Sequence, residues 1–276
     1  ERHVVARRRE RAAALVAHGY EYVFVSNADN LGAAVDPDIL AWFAAGRIPF
    51  LMEVAARTEA MRKGGHLARL RADGRLVLRE AAQVRDEDGD AFQDVTRHRF
   101  FNTNNLWLHV PSLADALAGG RVLELPLIRN RKTVDPADPK SPEVFQLETA
   151  MGAAIEVFPG AQALLVDTDR FAPVKTTNDL LAVRSDATVL GDDWRILPNP
   201  ARGGRPLVVD LDGAHYKLVG DFDARFPQGP PSLVDCDRLK VRGDVTFGAG
   251  VVVRGSVTID AASVGSRVAD GTVLEG

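Results

Sequence analysis

Apolar runs separated by polar clusters predict the elements in the first half of the chain. Residues 22–25 read Tyr-Val-Phe-Val, which is typical of a strand buried on both faces of a parallel sheet. Residues 49–54 resemble a second buried strand. Residues 3–17 have helical spacing among several arginines, and Asp36-Pro37 begins another helix whose apolar stripe ends at Gly46. The pattern is that of an α/β protein.

The middle of the chain predicts a hairpin and a longer helix. Residues 67–71 and 76–78 alternate apolar and polar positions around Asp73-Gly74, which indicates a β-hairpin. The charged residues 85–99 are predicted to be a surface excursion. Ser141-Pro142-Glu143 has the features of a helix N-terminus, and apolar residues keep helical spacing as far as Phe158. Residues 141–158 are therefore predicted to form a packing helix.

Beyond Pro230 the apolar positions form a repeat. Two rows recur every six residues, with glycines between them: Leu239, Val245, Val251 and Val257 in one row, and Val241, Phe247, Val253 and Ile259 in the other. This period is typical of a parallel β-helix, in which each short strand stacks on its equivalent in the next coil. The change of pattern predicts two domains, at residues 1–230 and 231–276.

Composition narrows the class of protein. The chain has 276 residues, of which 46% are hydrophobic and 26% charged, as in an ordinary globular protein. A net charge of −4 argues against a general nucleic-acid surface. The single cysteine, Cys236, excludes an internal disulfide and fits a reducing cytoplasm. No apolar run approaches the ~18 residues that a membrane span needs, so we expect no membrane association.

Polar side chains crowd the carboxyl end of the first predicted strand. Ser26, Asn27, Asp29 and Asn30 follow it directly, and open α/β sheets bind ligands in the crevice outside strand carboxyl ends. A divalent cation that carries a phosphate prefers carboxylate oxygen, so Asp29 is a candidate metal ligand. The alternative is that Asn27 and Asp29 form an Asx-turn that caps the next helix.

Three further positions suggest ligand chemistry, each with a plainer alternative. The paired glycines in Lys63-Gly64-Gly65 let backbone N–H groups approach a sugar or phosphate, or form an ordinary turn. The amides of residues 102–105 lie between apolar runs and need partners, which a sugar or the loop itself supplies. Lys175 precedes a predicted helix capped by Thr177 or Asn178, which suits a phosphate, although most lysines are simply on the surface.

Several sequence blocks in fixed order carry a resemblance. Residues 26–33, SNADNLGA, resemble the signature of the eukaryotic-type UDP-glucose pyrophosphorylases, which are UTP:glucose-1-phosphate uridylyltransferases. The resemblance continues in blocks at residues 52–67, 79–84, 100–108, 128–135, 146–155, 170–183 and 239–251. The family's glycine-rich nucleotide loop and its Gly-His-Gly block are absent. The sequence is therefore expected to be a fragment that begins within the catalytic domain.

The resemblance implies a fold and an activity. The fold is a Rossmann-like mixed sheet of the GT-A nucleotidyltransferase type, N-terminally truncated, followed by a small left-handed parallel β-helix that often mediates assembly. The activity is the reversible, Mg²⁺-dependent reaction of UTP with glucose 1-phosphate, which gives UDP-glucose and pyrophosphate. A homo-oligomer formed through the β-helix is a further expectation.

The resemblance also implies residue roles. Asp29 is expected to hold Mg²⁺, and Lys175 to contact the phosphates and be essential to transfer. Glu80 is expected to hold sugar hydroxyls, although alone it reads as an exposed charge at a strand end. An amide near residue 104 contacts the glucosyl part, with Asn104 the first choice and Asn102 its support. The full set of expected substrate-binding residues is Asn27, Ala28, Asp29, Gly64, Gly65, Glu80, Asn102 and Asn104.

Two alternative functions stay open at the level of sequence. One is a related enzyme that acts on another hexose 1-phosphate, such as galactose 1-phosphate or an N-acetylhexosamine 1-phosphate. The other is a non-catalytic module that binds a sugar nucleotide or drives assembly through the β-helix.

Overall fold

The computed structural model describes residues 2–57, 65–81, 84–136, 138, 140–192 and 194–276. Its described helices are α1 (Arg2–Ala17), α2 (Pro37–Ala45), α3 (Gly89–Gln93), α4 (Val110–Ala116), α5 (Thr177–Arg184), α6 (Gly213–Tyr216), α7 (Val219–Arg225) and α8 (Ala261–Val264). Short 3₁₀ helices span Asp86–Asp88, Ala118–Gly120, Met151–Glu156, Thr168–Arg170 and Pro200–Arg202. The chain forms two compact units: Glu1–Ala28 with Ala33–Phe171, and Asp29–Gly32 with Ala172–Gly276.

The described strands divide between these units. Those of the first unit are β1 (Tyr22–Val25), β2 (Phe50–Ala56), β3 (His66–Arg69), β4 (Leu76–Arg79), β5 (Phe100–His109), β6 (Leu127–Thr133), β7 (Glu143–Thr149) and β8 (Gln162–Leu165). Those of the second unit are β9 (Thr188–Leu190), β10 (Ile196–Pro198), β11 (Val208–Asp210), β12 (Cys236–Arg242), β13 (Thr246–Phe247), β14 (Val252–Asp260), β15 (Arg267–Val268) and β16 (Val273–Glu275).

The first unit is built on a six-stranded mixed sheet. Its order is β4-β3-β5-β2-β8, and β1 pairs with the second half of β5. The strand β5 runs antiparallel to β1, β2 and β3, whereas β2 and β8 are parallel. The predicted strand at residues 22–25 exists, but it is half-buried and pairs antiparallel with β5 rather than lying inside a parallel sheet. The prediction of burial on both faces was wrong. A run of four apolar residues does not show which strands will lie beside it in the sheet.

Apolar side chains from both faces of this sheet form two cores. Phe43 of α2, Leu51 and Trp107 pack on one face, and Phe50, Met52 and Leu106 pack on the other with the residues around Phe158. Asp36 accepts hydrogen bonds from the N–H groups of Asp38 and Ile39, as the sequence predicts for the start of α2. The predicted hairpin at Asp73-Gly74 is the β3–β4 pair.

The prediction of a helix at residues 141–158 was wrong. Strand β7 pairs antiparallel with β6 along its whole length, and a 3₁₀ helix follows at Met151–Glu156. Arg131 forms an ion pair with Glu143 across this hairpin, and the guanidinium of Arg129 lies over the ring of Phe145 at 4.7 Å. Periodicity alone suggested a helix, but these cross-strand contacts with a segment earlier in the chain favour the strand.

Residues 85–99 also differ from a simple surface excursion, because Phe92 of α3 is buried.

The second unit stacks short parallel strands. β11, β12, β14 and β16 pair in that order, and β13 pairs with β15. Leu239 pairs with Val257 and Val241 with Ile259, so successive coils are three six-residue repeats apart. All eight residues of the two predicted apolar rows are buried. The repeat in the sequence thus predicted the parallel pairing and the interior of the stack.

Helices α5 to α7 share one hydrophobic core with this stack. Leu181, Tyr216 and Phe222 pack with Leu239 and Phe247 in a single buried cluster. The hydroxyl of Tyr216 donates to the backbone oxygen of Val245 at 2.5 Å. The predicted domain boundary at residues 230/231 therefore lies inside one compact unit, whose limit along the chain is at residues 171/172.

Candidate functional site

In the first unit, the predicted amides lie on an irregular part of β5. The pairing register with β2 shifts between Met52 and Val54, opposite the stretch that contains Asn104. Asn104 has a φ of 63°, in the left-handed region. Asparagine is one of the few residues other than glycine that adopts this conformation readily. Such a bulge redirects a side chain out of the regular alternation of a strand, and here it redirects Asn104.

The amides form a connected cluster. The Asn104 side-chain amide donates to the side-chain oxygen of Asn27 at 2.7 Å, and its backbone N–H donates to the side-chain oxygen of Asn102 at 2.8 Å. The backbone N–H of Asn102 donates to the carbonyl of Gly65 at 3.3 Å. Asn27 is 77 residues away from Asn104 along the chain. The fold thus joins the end of β1, the middle of β5 and the residue before β3.

Glu80 completes this group, which we call the amide cluster: Asn27, Gly65, Glu80, Asn102 and Asn104. A Cβ atom added to Gly65 would lie 2.5 Å from a carboxylate oxygen of Glu80. Only glycine fits at position 65 while this carboxylate keeps its place. Burial raises the pKa of the Glu80 carboxyl. The cluster combines amide groups with a carboxyl, which together donate and accept hydrogen bonds as sugar hydroxyls require.

A second glycine that sequence reasoning missed packs against the cluster. A Cβ atom added to Gly152 would lie 2.6 Å from the side-chain nitrogen of Asn102 and 2.6 Å from Leu78. Gly152 is buried at the start of the 3₁₀ helix Met151–Glu156. In the sequence, the one feature that points to Gly152 is its position inside the block at residues 146–155, which resembles the family.

A buried ion pair supports the opposite face of β5. Glu53 is fully buried and accepts two hydrogen bonds from Arg170, at 2.7 and 2.8 Å. It also accepts from the Asn105 amide at 3.0 Å and from the Trp107 indole N–H at 2.8 Å. A buried carboxylate with four donors is well compensated, and loss of Arg170 would leave the Glu53 charge buried without its cation. Its signal in the sequence is a lone acidic residue within the apolar run of β2.

In the second unit, Asp29 and Lys175 lie on paired segments. Asn30 and Pro173 form an antiparallel bridge, and the Val174 N–H donates to the Asp29 carbonyl at 2.8 Å. The buried Asn30 side chain accepts from the N–H groups of Ala172 and Gly32 at 2.8 and 3.2 Å. These bonds fix residues 29–32 against residues 172–174. They bring Asp29 close to Lys175, although the two are remote in sequence.

Lys175 is exposed immediately before α5. Asp179 accepts from the backbone N–H groups of Lys175 and Thr176, at 3.0 and 2.8 Å, and Thr176 forms the reciprocal cap. The cap is Thr176 rather than the predicted Thr177 or Asn178, and the Asn178 side chain instead accepts from the Leu211 N–H at 3.0 Å. The capping box holds the backbone of Lys175 still while its ammonium group faces solvent.

The Asp29 carboxylate has the properties of a metal ligand. One of its oxygens, Oδ1, is buried and has no hydrogen-bond partner in the described structure. A buried carboxylate oxygen without a donor is costly unless a cation or another ligand pairs with it. Within the described residues no group of three or more His, Cys, Asp or Glu side chains could hold a metal ion. Mg²⁺ needs no such group, since it commonly uses one or two carboxylates together with substrate phosphates and water.

The structure therefore brings most predicted residues into two groups, one in each unit. The amide cluster holds five of them, and Asp29 with Lys175 forms the second group. Ala28 is exposed beside Asn27. Gly64 lies outside the described residues, as does Lys63. Among the described residues, no helix is both long and apolar enough to cross a membrane.

Comparison with known proteins places these observations in a family. A family model described as UTP–glucose-1-phosphate uridylyltransferase matches residues 8–254. The curated enzyme of that name from Hordeum vulgare is 44% identical over 95% of this chain, and that from Solanum tuberosum is 43% identical over 95%. The chain spans about half the length of these relatives, 53% of each.

Solved structures agree with the sequence comparison. A UDP-glucose pyrophosphorylase variant from Leishmania major, in complex with UDP-glucose, is 49% identical with a TM-score of 0.81, over 96% of this chain and 58% of that one. A structure from Trypanosoma brucei, described as UDP-glucose phosphorylase, has a TM-score of 0.83 at 47% identity, over 96% of this chain and 57% of that one. The fold and sequence are similar to those of the solved UDP-glucose pyrophosphorylases over the part that this chain covers. The chain belongs to the UTP–glucose-1-phosphate uridylyltransferase family.

Proposed function

We propose that the protein carrying this chain transfers a uridylyl group from UTP to glucose 1-phosphate and releases pyrophosphate. The observation that supports this most directly is the orphaned Asp29 oxygen on a segment hydrogen-bonded to the one that carries Lys175. Family membership and the assembled amide cluster point to the same reaction. In this proposal the amide cluster orients the glucosyl group and the Asp29–Lys175 pair holds the phosphates.

The reaction needs positioning and charge stabilisation rather than covalent catalysis. A phosphate oxygen of glucose 1-phosphate attacks the α-phosphorus of UTP, a new P–O bond forms, and the bond to pyrophosphate breaks in line. Negative charge on the oxygens of the transferred phosphoryl group and on the leaving pyrophosphate must be stabilised as this happens. Lys175 provides a cation whose backbone is fixed by the α5 capping box. One phosphoanhydride replaces another, so the chemistry is reversible.

We propose that Asp29 holds Mg²⁺ through its buried oxygen. When bound, Mg²⁺ neutralises phosphate charge and acts as a Lewis acid. The role of Asp29 itself is to present a carboxylate on a rigid segment, because Asn30 and the Asn30–Pro173 bridge fix the backbone beside it.

The amide cluster supports the proposed choice of a hexose phosphate as substrate. Asn102 and Asn104 retain donor and acceptor capacity beyond the bonds they make to each other and to Asn27. Glu80, with its raised pKa, presents a carboxyl group next to Gly65. A site built to hydrogen-bond hydroxyl groups discriminates strongly against sugars that leave its polar groups unpaired.

Turnover with a series of sugar phosphates tests the proposal. Pyrophosphate release is measured with UTP and glucose 1-phosphate, galactose 1-phosphate or N-acetylglucosamine 1-phosphate, and binding of UDP-glucose is measured by calorimetry. We expect the highest kcat/KM with glucose 1-phosphate, and loss of turnover in EDTA. Faster turnover of another sugar phosphate would make the protein a related pyrophosphorylase. Binding of UDP-glucose without turnover under any condition would leave only a binding module.

We also propose that the parallel stack of the second unit is a left-handed β-helix able to mediate self-association. The buried apolar rows and the pairing of β11, β12, β14 and β16 support a coil. Sedimentation of the intact protein over a range of concentrations tests the assembly role, and the mass of a single subunit at every concentration would contradict it.

A further inference from the structure

A large cavity in the first unit lies apart from the amide cluster. It has a volume of about 1130 Å³, is open to solvent, and is lined by the β3–β4 hairpin, the start of β5, β8 and residues 155–161. Known small-molecule sites have volumes of roughly 300–1,000 Å³. None of the five residues of the amide cluster lines this cavity. It is therefore a separate concave surface that the proposed reaction leaves unexplained.

The residues that line this cavity carry an excess of positive charge, whereas the chain as a whole is negative. Among the described residues, its lining contains one carboxylate, Glu156, and five arginines: Arg69, Arg71, Arg75, Arg97 and Arg99. The chain as a whole has a net charge of −4. Glu156 is partly engaged, since it accepts from the Leu78 N–H at 3.2 Å. A local excess of positive charge in a concave surface attracts and concentrates anions.

Several of these guanidinium groups are available to a ligand. Arg69 donates to the Gly74 carbonyl, and Arg75 pairs with Asp73 at 2.6 Å. Within the described part of the chain, the guanidinium groups of Arg71 and Arg97 have no hydrogen bond or ion pair, and that of Arg99 only lies over the ring of Phe100 at 5.4 Å. Guanidinium groups bind phosphate oxygens through two parallel hydrogen bonds.

The floor of the cavity is apolar. Val54, Leu67, Leu76, Phe100, Ile155 and Phe158 line it. Gly152 packs on Asn102 of the amide cluster, and Ile155 and Glu156 of the same 3₁₀ helix line the cavity. A ligand that suits these walls combines an apolar part with closely spaced negative charges.

We propose that this arginine-lined cavity binds a small organic polyphosphate. Its phosphates would contact Arg71, Arg97 and Arg99, and its apolar part would lie on the floor at Phe100 and Leu76. A polyphosphate carries several closely spaced charges, which suits three arginines of one cavity that have no carboxylate partner among the described residues. The carboxylates of an acidic peptide are spaced further apart and would leave some of these arginines unpaired. The site is independent of the proposed transfer reaction.

Calorimetry tests this site with inorganic tripolyphosphate and with ATP. Saturating UDP-glucose blocks binding at the amide cluster, and EDTA removes metal-dependent binding at Asp29. The double variant Arg97→Gln/Arg99→Gln removes two cavity arginines. Arg9→Gln/Arg238→Gln removes two exposed arginines elsewhere and serves as the matched control. Arg71→Gln provides a second, single-site test, and circular dichroism confirms that each variant folds.

We expect Arg97→Gln/Arg99→Gln to raise the dissociation constant of tripolyphosphate at least tenfold, because two charge-assisted contacts are lost. The control should bind like the parent. ATP should bind about tenfold more tightly than tripolyphosphate, since its apolar part covers the floor. Equal binding by the parent and the cavity variants, or an equal loss in the control, would overturn the proposal. Binding of a poly-glutamate peptide but not of tripolyphosphate would assign the cavity to an acidic protein segment instead.

Discussion

Single residues in the candidate site are fixed by backbone constraints as much as by their chemistry. Asn104 holds a positive φ within a strand, and the strain of that conformation is balanced by bonds to Asn27 and Asn102. Gly65 is fixed by a different constraint, the carboxylate of Glu80. Strained or crowded positions of this kind are commonly found where a ligand must be held accurately.

Gly65→Ala is expected to disturb the amide cluster. The added methyl group would lie 2.5 Å from a Glu80 oxygen, so either the Glu80 side chain or the backbone must move. We expect UDP-glucose to bind at least tenfold more weakly, measured by calorimetry. Gly89→Ala is the control, because an added Cβ there meets nothing within 4 Å. Equal affinity of Gly65→Ala and the parent would show that Glu80 has no fixed position.

Lys175→Ala is expected to slow transfer about 10²- to 10³-fold, which is the usual effect of losing one preorganised charge-stabilising group. Pyrophosphate release under saturating substrate measures this in the protein that carries the chain. Lys217→Ala, which removes another exposed lysine of the second unit, should leave the rate unchanged. A loss of less than a few-fold for Lys175→Ala would remove this residue from the mechanism.

Among the elements, β3 and α3 meet around a buried histidine. The ring of His66 stacks on that of His98 at 3.9 Å and packs against Phe92. Burial lowers the pKa of His66 to about 3, with further contributions from His98, Arg57 and Arg79. Burial, and then Arg79, lower the pKa of His98 in the same direction. Both rings are therefore neutral in the folded chain near pH 7.

These shifts predict that acid destabilises the first unit. Below pH 6.5 the unfolded chain binds a proton at residue 66 that the folded chain does not bind until about pH 3. The free energy of unfolding should therefore fall by about 1.4 kcal/mol per pH unit from this residue over that window. His66→Gln should reduce this slope between pH 6.5 and 5 in urea unfolding, whatever its effect at pH 7.5. Parallel curves for variant and parent would contradict the prediction.

Arg202 joins two segments of the second unit. It is buried, and its guanidinium donates to five backbone carbonyls: those of Leu233, Val234, Arg205, Pro206 and Cys236. Lysine has three donors on a flexible stem and cannot reproduce this fork. Arg202→Lys should lower the free energy of unfolding by about 3 kcal/mol, whereas Arg238→Lys at an exposed position should have little effect. Urea unfolding distinguishes the two.

At the scale of the whole molecule, each unit has its own hydrophobic cores. The cores of the first unit lie on the two faces of its mixed sheet, and that of the second unit lies inside the parallel stack and beneath α5 to α7. The second unit also includes residues 29–32, which come from an early part of the chain. Its folding therefore requires contacts between remote segments, which slow folding in general.

Leu239→Ala tests the core of the second unit. Leu239 is fully buried between neighbouring coils, and its truncation should cost about 2–5 kcal/mol. Hydrogen exchange should then show faster exchange of amides in β12 and β14 than in the parent, while β2 and β5 change less. Equal acceleration throughout the chain would show that the two cores unfold as one.

Some features follow from the sequence alone, for a local reason. The six-residue repeat predicts the buried rows of the stack because each coil repeats the same environment, and Asp36-Pro37 predicts the start of α2 because capping involves only neighbours. Asp73-Gly74 predicts the β3–β4 turn for the same reason. The sequence blocks that resemble the UDP-glucose pyrophosphorylases also identified a set of candidate site residues: Asn27, Asp29, Glu80, Asn104 and Lys175.

Only the tertiary structure decides the rest, because it depends on contacts between segments far apart in the chain. Pairing with β6 makes residues 143–149 a strand despite their helical spacing. The bulge of β5 aims Asn104 at Asn27, and the pairing of residues 29–32 with residues 172–174 brings Asp29 to Lys175. The arginines of the cavity read as scattered surface charges until the β3–β4 hairpin and the start of β5 converge. A linear pattern records which side chains a segment carries, whereas the partner that each side chain meets is set by long-range packing.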